Sequence, residues 1–388
     1  MRSAIAAAAL LAVSIGAQAQ VVPAPLTFAE RRWPSGGDTP FAVAAADLDR
    51  DGRLDLAVTN AGSDALGLLL ATPDGGFRSA PGASVGLTAR GLVAGDLDGD
   101  GAADLVIASA STNHVVVVRG DGHGGGTAHA FPAGLAPFQI AVADLNGDGH
   151  ADVAVADESN ANAFAGRGEV SVLFGDGHGV LVPSTTLRAD TNPSDVAAAD
   201  LDGDGRLDLA VLNWGSRNVS LFRNRGAATP AAPRPANGGL FDDARTFAYG
   251  GAPAYALAIG DVSGDTRPDL VIGDAQGVVH LLINDGKAQF TAAPSLQAAA
   301  GLRSLVLVDL DRDGRLDIAT ANTGDDSVSI IRQVAASSWS AAQRVPVGSH
   351  PRSVRAADLD ADGRMDLVVT NGGSNDVSVL RQTDGGTH

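Results

Sequence analysis

Residues 96–107 read Asp-Leu-Asp-Gly-Asp-Gly-Ala-Ala-Asp-Leu-Val-Ile, a nine-residue acidic loop running straight into an apolar stretch. The same phrase, Asp-x-Asp-x-Asp-Gly-x-x-Asp or a close variant, begins at Asp47, Asp96, Asp144, Asp200, Asp261, Asp309 and Asp358, at intervals of 48 to 61 residues. A period in that range marks a repeat architecture, so the 388 residues read as one array rather than as two or three ordinary domains. Carboxylates at positions 1, 3 and 5, a turn glycine at 6, a main-chain carbonyl at 7 and a carboxylate at 9 make a cage of hard oxygens, which is calcium chemistry. An EF-hand is excluded, because position 12 is Val58, Ile107, Val155, Val211, Ile272, Thr320 or Val369 instead of an acid, and the flanks are β-type.

The flanks predict the fold. Runs such as Leu56-Ala57-Val58 and Leu270-Val271-Ile272 are too short for helices and rich in β-branched residues, so they read as strands buried on both faces. Turn signals and a further apolar run, such as Val115 to Val118 or Val377 to Leu380, give a third strand, and a Gly/Asp turn with a more polar stretch gives an outer edge strand. Small residues ahead of each loop, such as Ala42 to Ala46, suit a crowded innermost strand. The fold class is therefore all-β, a seven-bladed β-propeller of four-stranded antiparallel blades with a calcium-binding loop between strands 1 and 2 of each. The last repeat stops after its third strand, and Leu26 to Glu30 ahead of the first read as the missing outer strand, so the two ends are expected to close the ring.

Phrase and strand context together resemble the FG-GAP-like and VCBS-type repeats and are similar to the calcium-bearing blades of integrin α-chain propellers. The resemblance implies Ca²⁺ held by side chains at positions 1, 3, 5 and 9. Carried over, these are Asp47, Asp49, Asp51 and Asp55; Asp96, Asp98, Asp100 and Asp104; Asp144, Asn146, Asp148 and Asp152; Asp200, Asp202, Asp204 and Asp208; Asp309, Asp311, Asp313 and Asp317; and Asp358, Asp360, Asp362 and Asp366. Position 7, the carbonyl donor, is Arg53, Ala102, His150, Arg206, Arg267, Arg315 or Arg364. The fifth loop, Asp261, Ser263, Asp265 and Asp269, has Thr266 where the turn glycine belongs. A β-branched residue resists the positive φ expected there, so six sites are expected and a seventh is degenerate.

Arg2, the apolar stretch from Ile5 to Ile15 and Ala17-Gln18-Ala19 read as a secretory signal peptide over residues 1–19, leaving 20–388 as the propeller, secreted or periplasmic and of bacterial type. No later run is long enough for a membrane span, and with no cysteine the metal loops take the part of a disulfide staple. Six Ca²⁺ would cancel two thirds of the formal net charge of −18, so the acidity reflects metal sites, and the scattered arginines exclude nucleic acid as partner. Gly120-x-Gly122-x-x-Gly125 lacks the helix a dinucleotide site needs, and Arg119-Gly120-Asp121 is repeat turn chemistry, since the next repeat has Phe174-Gly175-Asp176.

Six residues before each first aspartate the repeats read Phe41, Arg90, Phe138, Ser194, Tyr255, Arg303 and Arg352. That position starts the innermost strand, on the face opposite the acidic loops. A ring of arginines and aromatics there is either a site for a glycan or protein ligand or a set of packing lids. Insertions at Ser159 to Glu169 and Arg225 to Gly239 enlarge the third and fourth repeats. Two functions follow: a calcium-stabilised binding or adhesion module, favoured because the chain is all repeat, or a lyase on acidic polysaccharide with Tyr255, His350 and the ring arginines in catalytic parts.

Overall fold

Every second strand of the array is six residues long and buried throughout, from Asp55–Asn60 in the first repeat to Asp366–Asn371 in the seventh. Burial on both faces forces a neighbour on each side. The computed structural model, which describes residues 23–158, 168–226 and 239–383, supplies these neighbours by arranging seven antiparallel sheets as the blades of a ring. The second blade is typical, with Ala89–Gly95 innermost, then Asp104–Ser109, His114–Gly120 and Gly126–Pro132 outermost. No helix occurs among the described residues.

Alternation along a strand divides the core. Leu105 and Ile107 pack toward the first blade with Leu68, Leu70 and Val116, whereas Val106 and Ala108 pack toward the third with Val153, Val155 and Leu173. Each of seven apolar clusters lies between consecutive blades, and the one joining Val43, Leu56, Val58 and Leu69 to Val368, Val377 and Val379 closes the circle. The outermost strands are mostly exposed, as the polar sequence predicts. Small additions decorate two blades: Leu296–Gln297 pairs on the fifth, and Gln333–Ala335 with Ser338–Trp339 forms a hairpin on the sixth.

The expected closure by the two ends is present and longer than the sequence suggested. Thr27–Pro34 lies antiparallel to Asp376–Thr383, with Thr27 opposite Thr383 and Pro34 opposite Asp376, and is the outer strand of the seventh blade. The leader at residues 1–19, and residues 159–167 and 227–238 of the two insertions, lie outside the described residues.

Candidate functional site

Each acidic loop is built around its first aspartate. Asp47 accepts hydrogen bonds from the backbone N–H of Asp51 and Gly52 at 3.1 and 2.9 Å, and its counterparts do the same except Asp96, which takes Gly99 N and Gly101 N at 2.7 and 3.0 Å. The ninth residue ties the loop to the sheet: Asp104 accepts from Leu97 N with one oxygen and from Gly120 N on the third strand with the other, both at 2.9 Å. All seven ninth residues are buried, and burial pushes Asp208 and Asp366 up to about 6 and Asp317 up to about 7. The ninth aspartate is therefore a structural clamp in addition to any part in holding metal.

One oxygen each from Asp47, Asp49 and Asp55 comes within 4.8 Å of the others, as happens at Asp96, Asp98 and Asp104, at Asp200, Asp202 and Asp208, and at Asp309, Asp311 and Asp317; in the seventh loop the group is Asp358, Asp360 and Asp362. These loops fit a divalent cation by a further sign. Oδ1 of Asp49, Asp202 and Asp311 is buried with no hydrogen-bond partner, and the Asp202 side chain is only 5% exposed. Orphaned carboxylate oxygens of that kind are what a hard cation satisfies.

Arginine side chains hold the remaining acids. Arg53, Arg206, Arg267, Arg315 and Arg364, expected to offer only a carbonyl, turn their guanidinium back onto the fifth-position carboxylates Asp51, Asp204, Asp265, Asp313 and Asp362. Third-strand arginines reach position 3: Arg119 to Asp98, Arg223 to Asp202, Arg332 to Asp311 and Arg381 to Asp360. In the third and fifth repeats, where position 3 is the neutral Asn146 or Ser263, the equivalent third-strand residues are Phe174 and Ile283. In the first repeat the third-strand residue is Leu70, and Arg78 of the outer strand approaches Asp49 instead, at 3.7 Å; every position-3 carboxylate thus has an arginine beside it, so the pairing balances charge.

The fifth loop keeps its turn without the glycine. Thr266 does adopt the left-handed conformation, with φ of 68°. Four consecutive backbone N–H groups, of Ser263, Gly264, Asp265 and Thr266, converge on the Asp261 carboxylate at 2.7 to 3.2 Å and hold the turn despite the β-branched side chain.

At the other end of the innermost strands the predicted ring assembles. Phe41, Arg90, Phe138, Tyr255, Arg303 and Arg352 all line one cavity of about 300 Å³. A β-bulge explains why: in each blade the pairing register skips at this residue, as between Pro40 and Ala42 or Pro137 and Gln139, which turns its side chain out of the ladder. Phe41 meets Phe138 edge-on at 5.6 Å, Phe138 stacks on Tyr255 at 6.2 Å, and Trp214, which sequence reasoning missed, lies 5.8 Å from Tyr255. Arg90, Arg303 and Arg352 lie over Phe138, Tyr255 and Phe41 at 4.6, 4.1 and 6.0 Å. Ser194 does not join them; it is buried and donates to the carbonyls of Leu212 and Ala254.

Charge at this mouth opposes that of the whole molecule. Arg90 pairs with Glu158 at 2.5 Å, but Arg303 and Arg352 have no carboxylate partner among the described residues. Burial, with Arg303 and Arg90 nearby, pushes Arg352 below the usual guanidinium range, and its Nε is buried without a partner. His350 is exposed at the connection ahead of the last blade and is not among the cavity-lining residues.

The geometry agrees with known proteins. By structure the chain is similar to BBS1N crystallised in complex with ARL6DN (TM-score 0.65, 11% identity, 94% of this chain and 99% of that one). It is also similar to a catalytically inactive virginiamycin B lyase from Staphylococcus aureus with quinupristin (TM-score 0.57, 11% identity, 91% and 99%). At those identities the likeness is one of fold. No curated protein matches. The FG-GAP-like repeat matches residues 96–155, 161–211, 261–320 and 309–369, more than half of the sequence, and the chain belongs to that repeat family.

Proposed function

We propose that this chain is an exported, calcium-stabilised binding module that takes an anionic glycan or protein ligand at the mouth of its channel. One observation carries the reading: six side chains from six blades, all at one repeat position and all turned out by the same bulge, converge on a single cavity in which arginines outnumber acids. Guanidinium groups pair with carboxylates in a planar fork, and aromatic faces stack on sugar rings or other flat groups. An anion would offset the cost of the half-buried Arg352 charge and its repulsion by Arg303 and Arg90. That BBS1N is described with a protein partner fits the protein-ligand side of this reading.

Calcium would be held by positions 1, 3 and 9, with the fifth-position carboxylates and seventh-position carbonyls completing the shell, and would supply positive charge to the orphaned oxygens of the loops. The third and fifth loops, with Asn146 and Ser263, offer one carboxylate fewer. Among the described residues no helix is long and apolar enough to cross a membrane. The lyase reading has weaker support: Tyr255 lines the cavity but lies in a stack with Phe138, Trp214 and Arg303, and His350 does not line it.

A glycan array probed in calcium, followed by titration of the best ligand into the variant Arg90→Ala/Arg303→Ala/Arg352→Ala, tests the site. Binding should vanish in the variant with its melting transition intact. Wild-type affinity in the variant would place recognition elsewhere.

A further inference from the structure

Below the mouth, the channel wall carries two charges that the repeat does not require. Five residues before each first aspartate the blades have Ala42, Gly91, Gln139, Asp195, Ala256, Ser304 and Ser353. Three residues before it they have Ala44, Val93, Ala141, Ala197, Ala258, Val306 and Arg355. Asp195 and Arg355 are thus the charged exceptions at positions that six other blades fill with small or neutral residues. Those six blades close without a charge there, and an enclosed charge costs stability unless it is well paired.

The two side chains do not neutralise one another by contact: each feels the other's charge, but they form no salt bridge. Both line a cavity of about 320 Å³ together with Ser304 and Gln139. Asp195 accepts from Val196 N at 3.0 Å and Leu257 N at 2.9 Å, which fixes its two oxygens in direction. Arg355 donates from Nη1 to the Val354 carbonyl at 2.9 Å and to the Ser304 hydroxyl at 3.4 Å, and no bond from its Nε or Nη2 is present among the described residues. Burial lifts Asp195 to about 7 and lowers Arg355.

Depth decides what reaches them. Gln139, Tyr255, Arg303 and Ser304 line both this cavity and the mouth, so the two adjoin. At ~3.3 Å of rise per residue, Arg355 lies ~10 Å further along its strand than the mouth residue Arg352. A chain lying across the mouth stays ~10 Å short of Arg355, a depth that a chain end entering the channel covers.

We propose that the channel is an end-recognition pocket that receives the terminal residue of an acidic saccharide chain, its carboxylate on Arg355 and its hydroxyls donating to Asp195. The proposal rests on the mouth being a site for an anionic ligand and adds that the ligand's end, rather than its middle, is read. A saccharide is favoured over a peptide because vicinal hydroxyls offer two donors to the fixed oxygens of Asp195, while the stacked faces of Phe138, Tyr255 and Arg303 suit the sugar that follows.

The test is titration calorimetry of the full chain in calcium with trimers of galacturonate, mannuronate and guluronate, their methyl esters, and a peptide with a free C-terminal carboxylate. Arg355→Val and Asp195→Ser install residue types that other blades carry at or beside these positions, and thermal melts confirm that they fold. At least one uronate trimer should bind the wild type, lose ten-fold or more in affinity on esterification, and lose as much in each channel variant. Wild-type affinity in both channel variants, with loss in Arg90→Ala/Arg303→Ala/Arg352→Ala, would overturn the end pocket and leave the mouth reading standing. Loss in the channel variants alone would support the pocket and count against the mouth. Binding of the peptide in place of the trimers, or of none of these probes, would overturn the saccharide assignment.

Discussion

The last residue of each second strand is Asn60, Ser109, Asp157, Asn213, Asp274, Asn322 or Asn371. In three repeats this asparagine donates to a serine on the third strand, as Asn213 does to Ser220 and Asn371 to Ser378, both at 2.9 Å. Asp157 stands in the same place, accepting from the Ser171 hydroxyl at 2.7 Å, but its Oδ1 is buried without a partner and burial pushes its carboxyl up to about 7. Unfolded, that carboxyl titrates near 3.9. Between about pH 4 and 7 the native state therefore holds a proton that the unfolded chain has released, so this group's contribution to stability falls as pH rises through that window. A displacement of about three units sets a ceiling of ~4 kcal/mol on the loss. Asp157→Asn removes it while its amide oxygen keeps an acceptor for the Ser171 hydroxyl and N–H, and with part of the ceiling offset by the serine bonds the gain should be about 2 kcal/mol at pH 8 and near zero at pH 4. For a chain of this size that is about 3 °C in melting temperature. Melts of both proteins by circular dichroism across pH 4 to 8 measure the difference, in which the titration of the metal loops cancels. A gap that is the same at pH 5 and pH 8, or a variant less stable at pH 8, would refute the account of Asp157.

Excess EDTA should lower the melting temperature sharply, since a loop with Kd near 0.1 mM contributes ~1.4 kcal/mol at 1 mM calcium and six such loops act together; an unchanged melting curve counts against structural calcium. Deleting residues 20–32 removes most of the strand paired with Asp376–Thr383 and should expose an edge that aggregates, read by light scattering; a truncated chain as soluble as the parent would exclude that closure. Asp104→Ala leaves Leu97 N and Gly120 N without their acceptor and should cost 2–3 kcal/mol by thermal melting even in EDTA, whereas a loss seen only with calcium present would make Asp104 a ligand and nothing more.

The blades and their order were legible because a loop that must place three carboxylates, a glycine turn and a clamp tolerates few residue types, and a strand buried on both faces is apolar through its middle, as in Leu56-Ala57-Val58. The ring position was legible for the opposite reason, since it varies among arginines and aromatics while the position two residues on stays Val, Leu or Ile in every repeat. The bulge that turns Phe41 and Phe138 outward left no trace in any single residue, because a register skip is a property of two strands. Arg119 and Arg332 looked like scattered surface charge until the fold brought each within reach of an aspartate 21 residues earlier. Asp195 and Arg355 were visible in the same alignment of repeats, one and three places beyond the ring. Trp214 carried no such signal, because it sits in a turn whose length and composition change from blade to blade.

The seventh blade also fixes how the molecule is presented. Its third strand runs from the mouth side at Asp376 toward the acidic loops, where Gln382 N meets Asp366, and Thr27 lies directly opposite Thr383. Both ends of the propeller thus leave side by side on the acidic-loop face, a strand's length away from the mouth. A tether attached to either end, whether a surface, a second module or a force probe, would hold the acidic loops toward its anchor and the arginine-rich opening toward the surroundings. Pulling on the two ends together would load the Thr27–Pro34 and Asp376–Thr383 pair at one end, opening the ring bond by bond from the outer edge of a single blade.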